Sequence, residues 1–285
     1  MRIVEYPGTG QWPELLKRPA LSNANLYDTV KAVLDQVRDG GDAAIFQLEK
    51  KFDKAELTSL QVEDEMFAEA ENLISDELKS AIRAAAANIA KFHKSQIPSL
   101  QKIETTEGVI CWQKAVPIQR VGLYIPGGSA PLFSTVLMLA IPAVTAGCKE
   151  IILCTPPDKE GKINPAILFA AKTAGVSRIF KIGGSQAIAA MAYGTESVPK
   201  VSKIFGPGNS YVTAAKQLVS LKDVAIDMPA GPSEVAVIAD DNADASFIAA
   251  DLLSQAEHGP DSQVILMTTS ARILRDVQSE VTRQT

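Results

Sequence analysis

Two polar residues near the C-terminal part of the chain have the types and the spacing of a possible metal site. Gln255 and His258 lie three positions apart in the segment DLLSQAEH, at the end of a stretch with helical periodicity. Residues at positions i and i+3 share one face of a helix. An imidazole nitrogen is a common zinc ligand, whereas an amide oxygen is a weaker and rarer one. The pair alone leaves two interpretations open, a zinc site or simply a polar helix end, and the second is the more common.

Three glycine-containing loops suggest a second kind of chemistry, the binding of phosphate. Each follows a predicted strand and precedes a predicted helix, and their sequences are YIPGGSAP (124–131), IGGSQA (182–187) and FGPGNSY (205–211). Backbone N–H groups and helix N-termini at such places favour anions. None of the loops has the pattern G-x-G-x-x-G, and the chain has no G-x-x-x-x-G-K-[ST] segment. The glycines are equally compatible with tight turns, so both interpretations stay open.

The elements that precede these loops are mainly helical. Apolar residues recur at helical spacing over residues 22–37, and Gly40-Gly41 ends that stretch before Asp42 begins a second, shorter helix. Residues 64–95 also have helical spacing, and residues 107–117 have the composition of a strand. His93 lies among lysines in AKFHK, which favours a solvated surface histidine over a catalytic one.

From residue 118 onwards, predicted strands alternate with predicted helices. The strands are residues 120–125, 150–154, 178–182, 203–205, 234–239 and 263–267. The helices between and after them are residues 132–147, 165–174, 185–193, 210–220, 245–257 and 273–281. Such alternation is typical of parallel sheets whose strands are joined by crossover helices. The sequence therefore predicts an α/β fold with parallel sheets.

The composition excludes several classes of protein. The chain has 46% hydrophobic and 21% charged residues, as soluble globular proteins have. Its net charge of −5 argues against nucleic-acid binding, which needs a basic surface. The N-terminal residues lack a secretory signal pattern, and the longest apolar run, residues 136–144, is too short to span a membrane. We therefore expect a cytoplasmic protein whose cysteines, without a C-x-x-C pair, are free thiols.

The segments IDMPAGPSEV (226–235) and DLLSQAEH (251–258) together resemble the signature of the histidinol dehydrogenase family. Members of that family are zinc-dependent, NAD-linked enzymes that oxidise L-histidinol through the aldehyde to L-histidine. The resemblance implies two Rossmann-like domains, a nucleotide-binding domain that lacks the usual glycine fingerprint, and a homodimer in which the partner helps to complete each site.

Carried over to this chain, the resemblance implies NAD contacts at Tyr124, Gln186 and Asn209. A tyrosine can offer a ring face and a hydroxyl, and the amides can bond ribose or phosphate oxygens. The alternative is that Tyr124 is a core aromatic residue and that the two amides cap loops.

The same resemblance makes Gln255 and His258 zinc ligands that also touch the substrate. Zinc in this family holds the substrate in place and has no redox role. Ser233 matches a hydroxyl that contacts the substrate, although it could equally cap the backbone.

The predicted domains are an N-terminal arm (1–20), a first α/β domain (21–123 plus 234–285) and an inserted nucleotide-binding domain (124–233). In the family, the catalytic Glu-His pair, a zinc-binding Asp and a last zinc-binding His follow the stretch seen here. We therefore expect the first domain to be incomplete and these 285 residues alone to be inactive. Two alternatives stay open, a related zinc/NAD dehydrogenase of another small polar alcohol and a non-catalytic dinucleotide-binding protein.

Overall fold

The structure is a computed structural model that describes residues 2–17, 24–127, 131–176, 178–229, 234–257 and 262–285. Its contacts form two compact units, one of residues Leu26–Gly231 and one of Met1–Asn25 with Pro232–Thr285. These units differ from the predicted division in where they place residues 26–123, which pack within the larger unit. The predicted division into domains stays a prediction.

The described helices and strands follow one another in the alternating order that the sequence predicts from residue 118 onwards. After a 3-10 turn (Thr9–Gln11), the helices are α1 (Trp12–Leu15), α2 (Ala24–Phe52), α3 (Asp64–Leu73), α4 (Asp76–Lys94), α5 (Phe133–Thr145), α6 (Pro165–Thr173), α7 (Gly184–Tyr193), α8 (Ser210–Ser220), α9 (Ala245–Ala256) and α10 (Ala271–Gln284). The strands are β1 (Lys102–Thr106), β2 (Val109–Trp112), β3 (Arg120–Tyr124), β4 (Glu150–Thr155), β5 (Arg178–Lys181), β6 (Lys203–Phe205), β7 (Ala225–Ile226), β8 (Glu234–Ala239) and β9 (Gln263–Thr268).

The larger unit is built around a five-stranded sheet in the order β5-β4-β3-β6-β7. Every neighbouring pair in it is parallel, so the carboxyl ends of all the strands lie at one edge. The chain runs outward from β3 to β5 and then crosses to the other side of β3 to form β6 and β7. The strand order reverses between β3 and β6, and ligands of such sheets bind at the carboxyl edge beside this reversal.

The two faces of this sheet are covered by different helices. Alternate residues of a strand point to opposite faces, and in β3 the side chains of Val121 and Leu123 lie in one buried cluster while Tyr124 lies in the other. The first cluster is completed by helices α3 to α6, and the second by α2, α7 and α8. Because both faces are buried, β3 and β4 are almost continuously apolar, as the sequence indicates.

The smaller unit contains the parallel pair β8 and β9 with helices α9 and α10. Its buried cluster includes Ala249 and Leu252 from α9 and Ile273 and Val277 from α10. Each pair is three or four positions apart, so each helix has one apolar face toward the strands. The predicted α/β fold with parallel sheets is therefore confirmed in both units.

Three local predictions need correction. The helical segment 64–95 is two helices, because Ile74 is extended and the hydroxyl of Ser75 accepts a hydrogen bond from the N–H of Leu78, which caps α4. The predicted strand 107–117 is only partly a strand, since Gly108 (φ 79°) lies in the turn between β1 and β2. The arm 1–20 is not fully extended, because α1 begins with Pro13 in its first turn, where no N–H is needed.

None of the helices in the described ranges has both the length and the apolar character that crossing a membrane requires.

Helix α2 is kinked at Gly41, whose backbone conformation is not helical, and a side chain at this position should destabilise the fold. Gly41 has φ 54° and ψ −140°, and an added Cβ would lie 2.4 Å from Oε2 of Glu196, the atom that accepts the N–H of Asp42. We expect Gly41→Ala to lower the free energy of unfolding by about 2–3 kcal/mol, since it combines backbone strain with displacement of Glu196. Urea denaturation followed by circular dichroism measures this loss.

Gly108→Ala is the matched control, because Gly108 also has a positive φ of 79° but no heavy atom lies within 4 Å of its added Cβ. We expect this variant to lose only about 1 kcal/mol. Equal losses in the two variants would contradict a role of the Glu196 contact.

Candidate functional site

Tyr124 lies at the carboxyl end of the central strand β3, beside the reversal of strand order. Its side chain is only 3% exposed, and its hydroxyl accepts a hydrogen bond from the N–H of Gly184 at 3.0 Å. Burial raises the pKa of the Tyr124 phenol well above its usual value, which keeps the phenol protonated. A hydroxyl that accepts one hydrogen bond still has its own proton to donate. Tyr124 can therefore give a hydrogen bond to a bound ligand.

Gln186 lies in the first turn of α7, which begins directly after β5. The residue is 1% exposed, and its side-chain Nε2 donates to Oε1 of Glu49 at 3.0 Å. The same oxygen accepts the N–H of Gly183 at 3.0 Å. The N–H groups of Gly183 and Gly184 are thus bonded to Glu49 and Tyr124, and they are not free to bind a phosphate.

Glu49, in the last turn of α2, is a site residue that the sequence interpretation missed. It is fully buried, and burial together with the neighbouring Asp53 carboxyl raises the pKa of Glu49 to about 8. A usable signal exists in the sequence, because Glu49 lies four positions after Ile45 and next to Leu48 on the apolar face of α2. A charged residue at a core position of a helix needs a specific partner.

Asn209 lies in the loop between β6 and α8, on the other side of β3. Its Oδ1 caps α8 by accepting the N–H of Val212 at 3.1 Å, and the residue is exposed. The loop begins at Gly206, where φ is 129° and an added Cβ would lie 2.2 Å from the carbonyl oxygen of Tyr124. Only glycine allows this close approach of the two chain segments. The structure therefore brings the loops of Gln186 and Asn209 to the same residue, Tyr124.

A buried ion pair holds the beginning of this loop. Lys216 of α8 is 5% exposed, donates to the carbonyl oxygen of Gly206 at 2.7 Å and is paired with Asp227. Asp227 in turn accepts the N–H of Gly206 at 2.8 Å. Both backbone polar groups of Gly206 are therefore bonded to one ion pair, and such a pair is far costlier to break than to keep.

A pocket of about 610 Å³ opens at this edge of the sheet. The residues around it include Asp53, Tyr124, Thr155, Lys162 and Gly184. Thr155 is 1% exposed, and its hydroxyl is buried without a hydrogen-bond partner among the described residues. Because an unpaired buried hydroxyl is unfavourable, a ligand that bonds to it would gain affinity. The size lies within the range of about 300–1,000 Å³ that is usual for ligand pockets, so the pocket can hold a small molecule.

The residues predicted to bind zinc and substrate are described only in part. Gln255 lies at the end of α9, where its Nε2 donates to the hydroxyl of Ser262 at 3.3 Å. Ser233 and His258 lie outside the described residues. Within the described ranges, no three His, Cys, Asp or Glu side chains are grouped so that they could hold a metal ion. A protein zinc site needs three or four ligands, so the described residues do not form one by themselves.

His93, the other histidine of the chain, has a local partner. Its Nδ1 lies 2.7 Å from Oε1 of Gln96, three residues further along the chain. The residue is partly exposed, and its surface role stays a prediction.

Comparison with known proteins gives consistent results. The sequence model of the family described as histidinol dehydrogenase matches residues 16–285. A histidinol dehydrogenase of Bacteroides thetaiotaomicron is 66% identical over 284 residues, which are 100% of this chain and 66% of that protein. A histidinol dehydrogenase of Vibrio vulnificus is 54% identical over 289 residues, again with 100% of this chain and 66% of the relative covered.

Solved structures agree with this similarity. The crystal structure of histidinol dehydrogenase from Elizabethkingia anophelis is 56% identical and matches with a TM-score of 0.90 over 98% of this chain and 64% of that chain. A putative aldehyde dehydrogenase from Burkholderia cenocepacia, 15% identical with a TM-score of 0.51 over 93% of this chain and 52% of its own, shares the fold alone. This chain spans about two thirds of the length of the curated relatives, and it belongs to the histidinol dehydrogenase family.

Proposed function

We propose that this chain carries the dinucleotide site of a histidinol dehydrogenase. In the complete enzyme, L-histidinol would be oxidised through histidinaldehyde to L-histidine in the last steps of histidine biosynthesis. The observation that supports this most is the pocket at the carboxyl edge of the sheet, which is lined by Tyr124, the residue that the loops after both β5 and β6 contact. Membership of the family supports the reaction and the substrate.

The described residues suggest how the site holds its nucleotide. The phenol of Tyr124 offers a hydrogen bond to a ligand in the pocket, and the hydroxyl of Thr155 lies buried in the pocket wall without a partner among the described residues. Asn209 is exposed in the loop after β6, where its side-chain amide can form a hydrogen bond with a ribose or phosphate oxygen. Gln186 is bonded to Glu49, so in this arrangement its amide oxygen is the group left to accept a hydrogen bond. Bound NAD would supply the hydride acceptor for the oxidation.

We further propose that Gln255 and His258 supply two of the zinc ligands and that Ser233 contacts the substrate. The remaining ligands and the Glu-His pair would come from the part of the relatives that this chain does not span. A homodimer and a cytoplasmic location belong to the same proposal.

Asn209→Ser tests the nucleotide site. Serine keeps the helix cap that Asn209 gives to α8 but lacks the amide that would contact the nucleotide. We expect the affinity for NAD to fall about tenfold, the effect of losing roughly 1.4 kcal/mol of hydrogen bonding. Isothermal titration calorimetry with NAD measures the change.

Asn88→Ser serves as the control, since Asn88 is exposed on α4, a helix that contributes no residue to the pocket and does not contact Tyr124. Its NAD affinity should equal that of the wild type. An Asn209→Ser variant that binds NAD as tightly as this control would contradict the assignment of Asn209.

The catalytic proposal has a separate test. A polypeptide of these 285 residues alone should form no NADH from L-histidinol, with or without added zinc, because only two of the proposed zinc ligands and none of the proposed catalytic residues lie within it. Absorbance of NADH during incubation with both substrates measures this. Steady, histidinol-dependent NADH formation by the purified polypeptide would refute the proposed division of the active site.

A further inference from the structure

The carboxyl group of Glu49 is bonded to two parts of the proposed nucleotide site. Its Oε1 accepts the N–H of Gly183 and the Nε2 of Gln186, each at 3.0 Å. The first bond holds the turn between β5 and α7, and the second sets the orientation of a buried amide. Glu49 itself is fully buried and does not line the pocket, so it acts through these neighbours.

The other oxygen of Glu49 points to a shared proton. Oε2 is buried and receives no hydrogen bond from any N–H or O–H group of the described residues. The Asp53 carboxyl lies one helical turn further along the chain, and its negative charge is one cause of the raised pKa of Glu49. Two neighbouring buried carboxyl groups can share a hydrogen bond only when one of them is protonated. The N–H of Asp53 donates to the carbonyl oxygen of Glu49 at 2.9 Å, which keeps both side chains on one side of the turn.

The surroundings of the pair favour one negative charge rather than two. The titratable groups that interact with Glu49 are Asp53 at the end of α2, Tyr124 of β3 and Cys154 of β4, while α7 contributes the neutral Gln186. Burial raises the pKa of each of these three groups, so the surroundings of Glu49 oppose additional negative charge. No lysine or arginine of the described residues is among these groups. Of the two carboxyl groups, Glu49 is fully buried whereas Asp53 is partly exposed and lines the pocket, so we take Glu49 as the protonated member.

Asp53 connects this pair to the pocket. Its carboxyl lines the pocket wall, and its Oδ2 lies 3.2 Å from the position that a Cβ of Gly183 would take. Loss of the shared proton would place two carboxylates side by side directly behind the first turn of α7. Their repulsion would move the groups that Glu49 holds, and the added charge would oppose an anionic ligand.

We propose that Glu49 is a positioning residue of the nucleotide site and that the proton it shares with Asp53 is required for full NAD affinity. This inference rests on the proposed nucleotide site. Glu49 lies outside the pocket and orients Gln186 and the turn at Gly183. Because loss of the shared proton disturbs this arrangement, NAD binding becomes weaker in alkaline solution.

Glu49→Gln is the decisive variant. Glutamine keeps an oxygen that can accept from Gly183 and Gln186, and its amide can donate permanently to Asp53, so it imitates protonated Glu49. Between pH 7 and pH 9.5 we expect the dissociation constant of NAD to rise about tenfold in the wild type, the factor that corresponds to one pKa unit of coupling. In Glu49→Gln it should stay constant within about twofold over this interval.

Two further variants complete the test. Glu49→Met has a similar size but no acceptor, and its NAD affinity should be about tenfold lower than that of Glu49→Gln at every pH. Glu56→Gln changes an exposed carboxylate paired with Lys50 and should keep the pH profile of the wild type. Calorimetry at each pH gives the dissociation constants, and circular dichroism checks that the variants are folded.

A measurement without nucleotide tests the shared proton itself. The pKa of Glu49 is raised to about 8 in the folded state, so the proton on Glu49 stabilises the folded protein. This stabilisation is fully present below the unfolded-state pKa of about 4.3 and is lost as the pH rises through about 8. The urea midpoint of the wild type should therefore fall relative to Glu49→Gln between pH 5 and pH 9. A constant difference between the two midpoints would overturn the shared proton.

The outcomes separate this inference from the proposed function. If the wild type and Glu49→Gln bind NAD with the same pH dependence, the role of Glu49 is overturned while the nucleotide site stands. If neither protein binds NAD at any pH, the proposed function fails, and the positioning role fails with it.

Discussion

The hydrogen bond from the N–H of Gly184 to the hydroxyl of Tyr124 links the start of α7 to the central strand of the sheet. On the other side of the same strand, Gly206 packs against the carbonyl oxygen of Tyr124, and the pair of Lys216 and Asp227 holds it there. The two loops on either side of β3 thus take their positions from one residue. The geometry of the candidate site depends on the strand order, because only a reversal beside β3 brings these loops together.

The interior under this site is unusual in containing an acidic pair. Burying a carboxylate is costly unless hydrogen bonds and a proton compensate for the lost hydration. The Glu49 carboxyl accepts two hydrogen bonds and lies beside a second carboxyl. These hydrogen bonds and the proton shared with Asp53 offset the cost of burying it. An apolar side chain at this position would suit the core better but could not hold the turn at Gly183. The arrangement is that of a residue kept for positioning rather than for stability.

Much of the larger sheet could be predicted from the sequence, because strands buried on both faces are short, apolar and separated by helices. The predicted segments 203–205 and 210–220 coincide with β6 and α8. The break at Ser75 and the two-residue strand β7 were missed, since the first depends on one cap and the second on pairing with β6 alone. Site residues in the glycine loops were predicted from the family signature. For Glu49 the sequence shows only a charged residue at a core position of α2, because the contacts that give it a role lie 134 and 137 positions away in the chain.

The occupied N–H groups at the start of α7 have a consequence for the residence time of a nucleotide. In many dinucleotide sites a helix N-terminus grips the pyrophosphate, but here Glu49 and Tyr124 already use two of those donors. Affinity would then come mainly from a few side-chain hydrogen bonds, each with a net contribution of about 1 kcal/mol. Lower affinity in related complexes arises mostly from faster dissociation. A dinucleotide in this pocket would therefore behave as a co-substrate that exchanges with solution in every turnover, and not as a permanently retained prosthetic group.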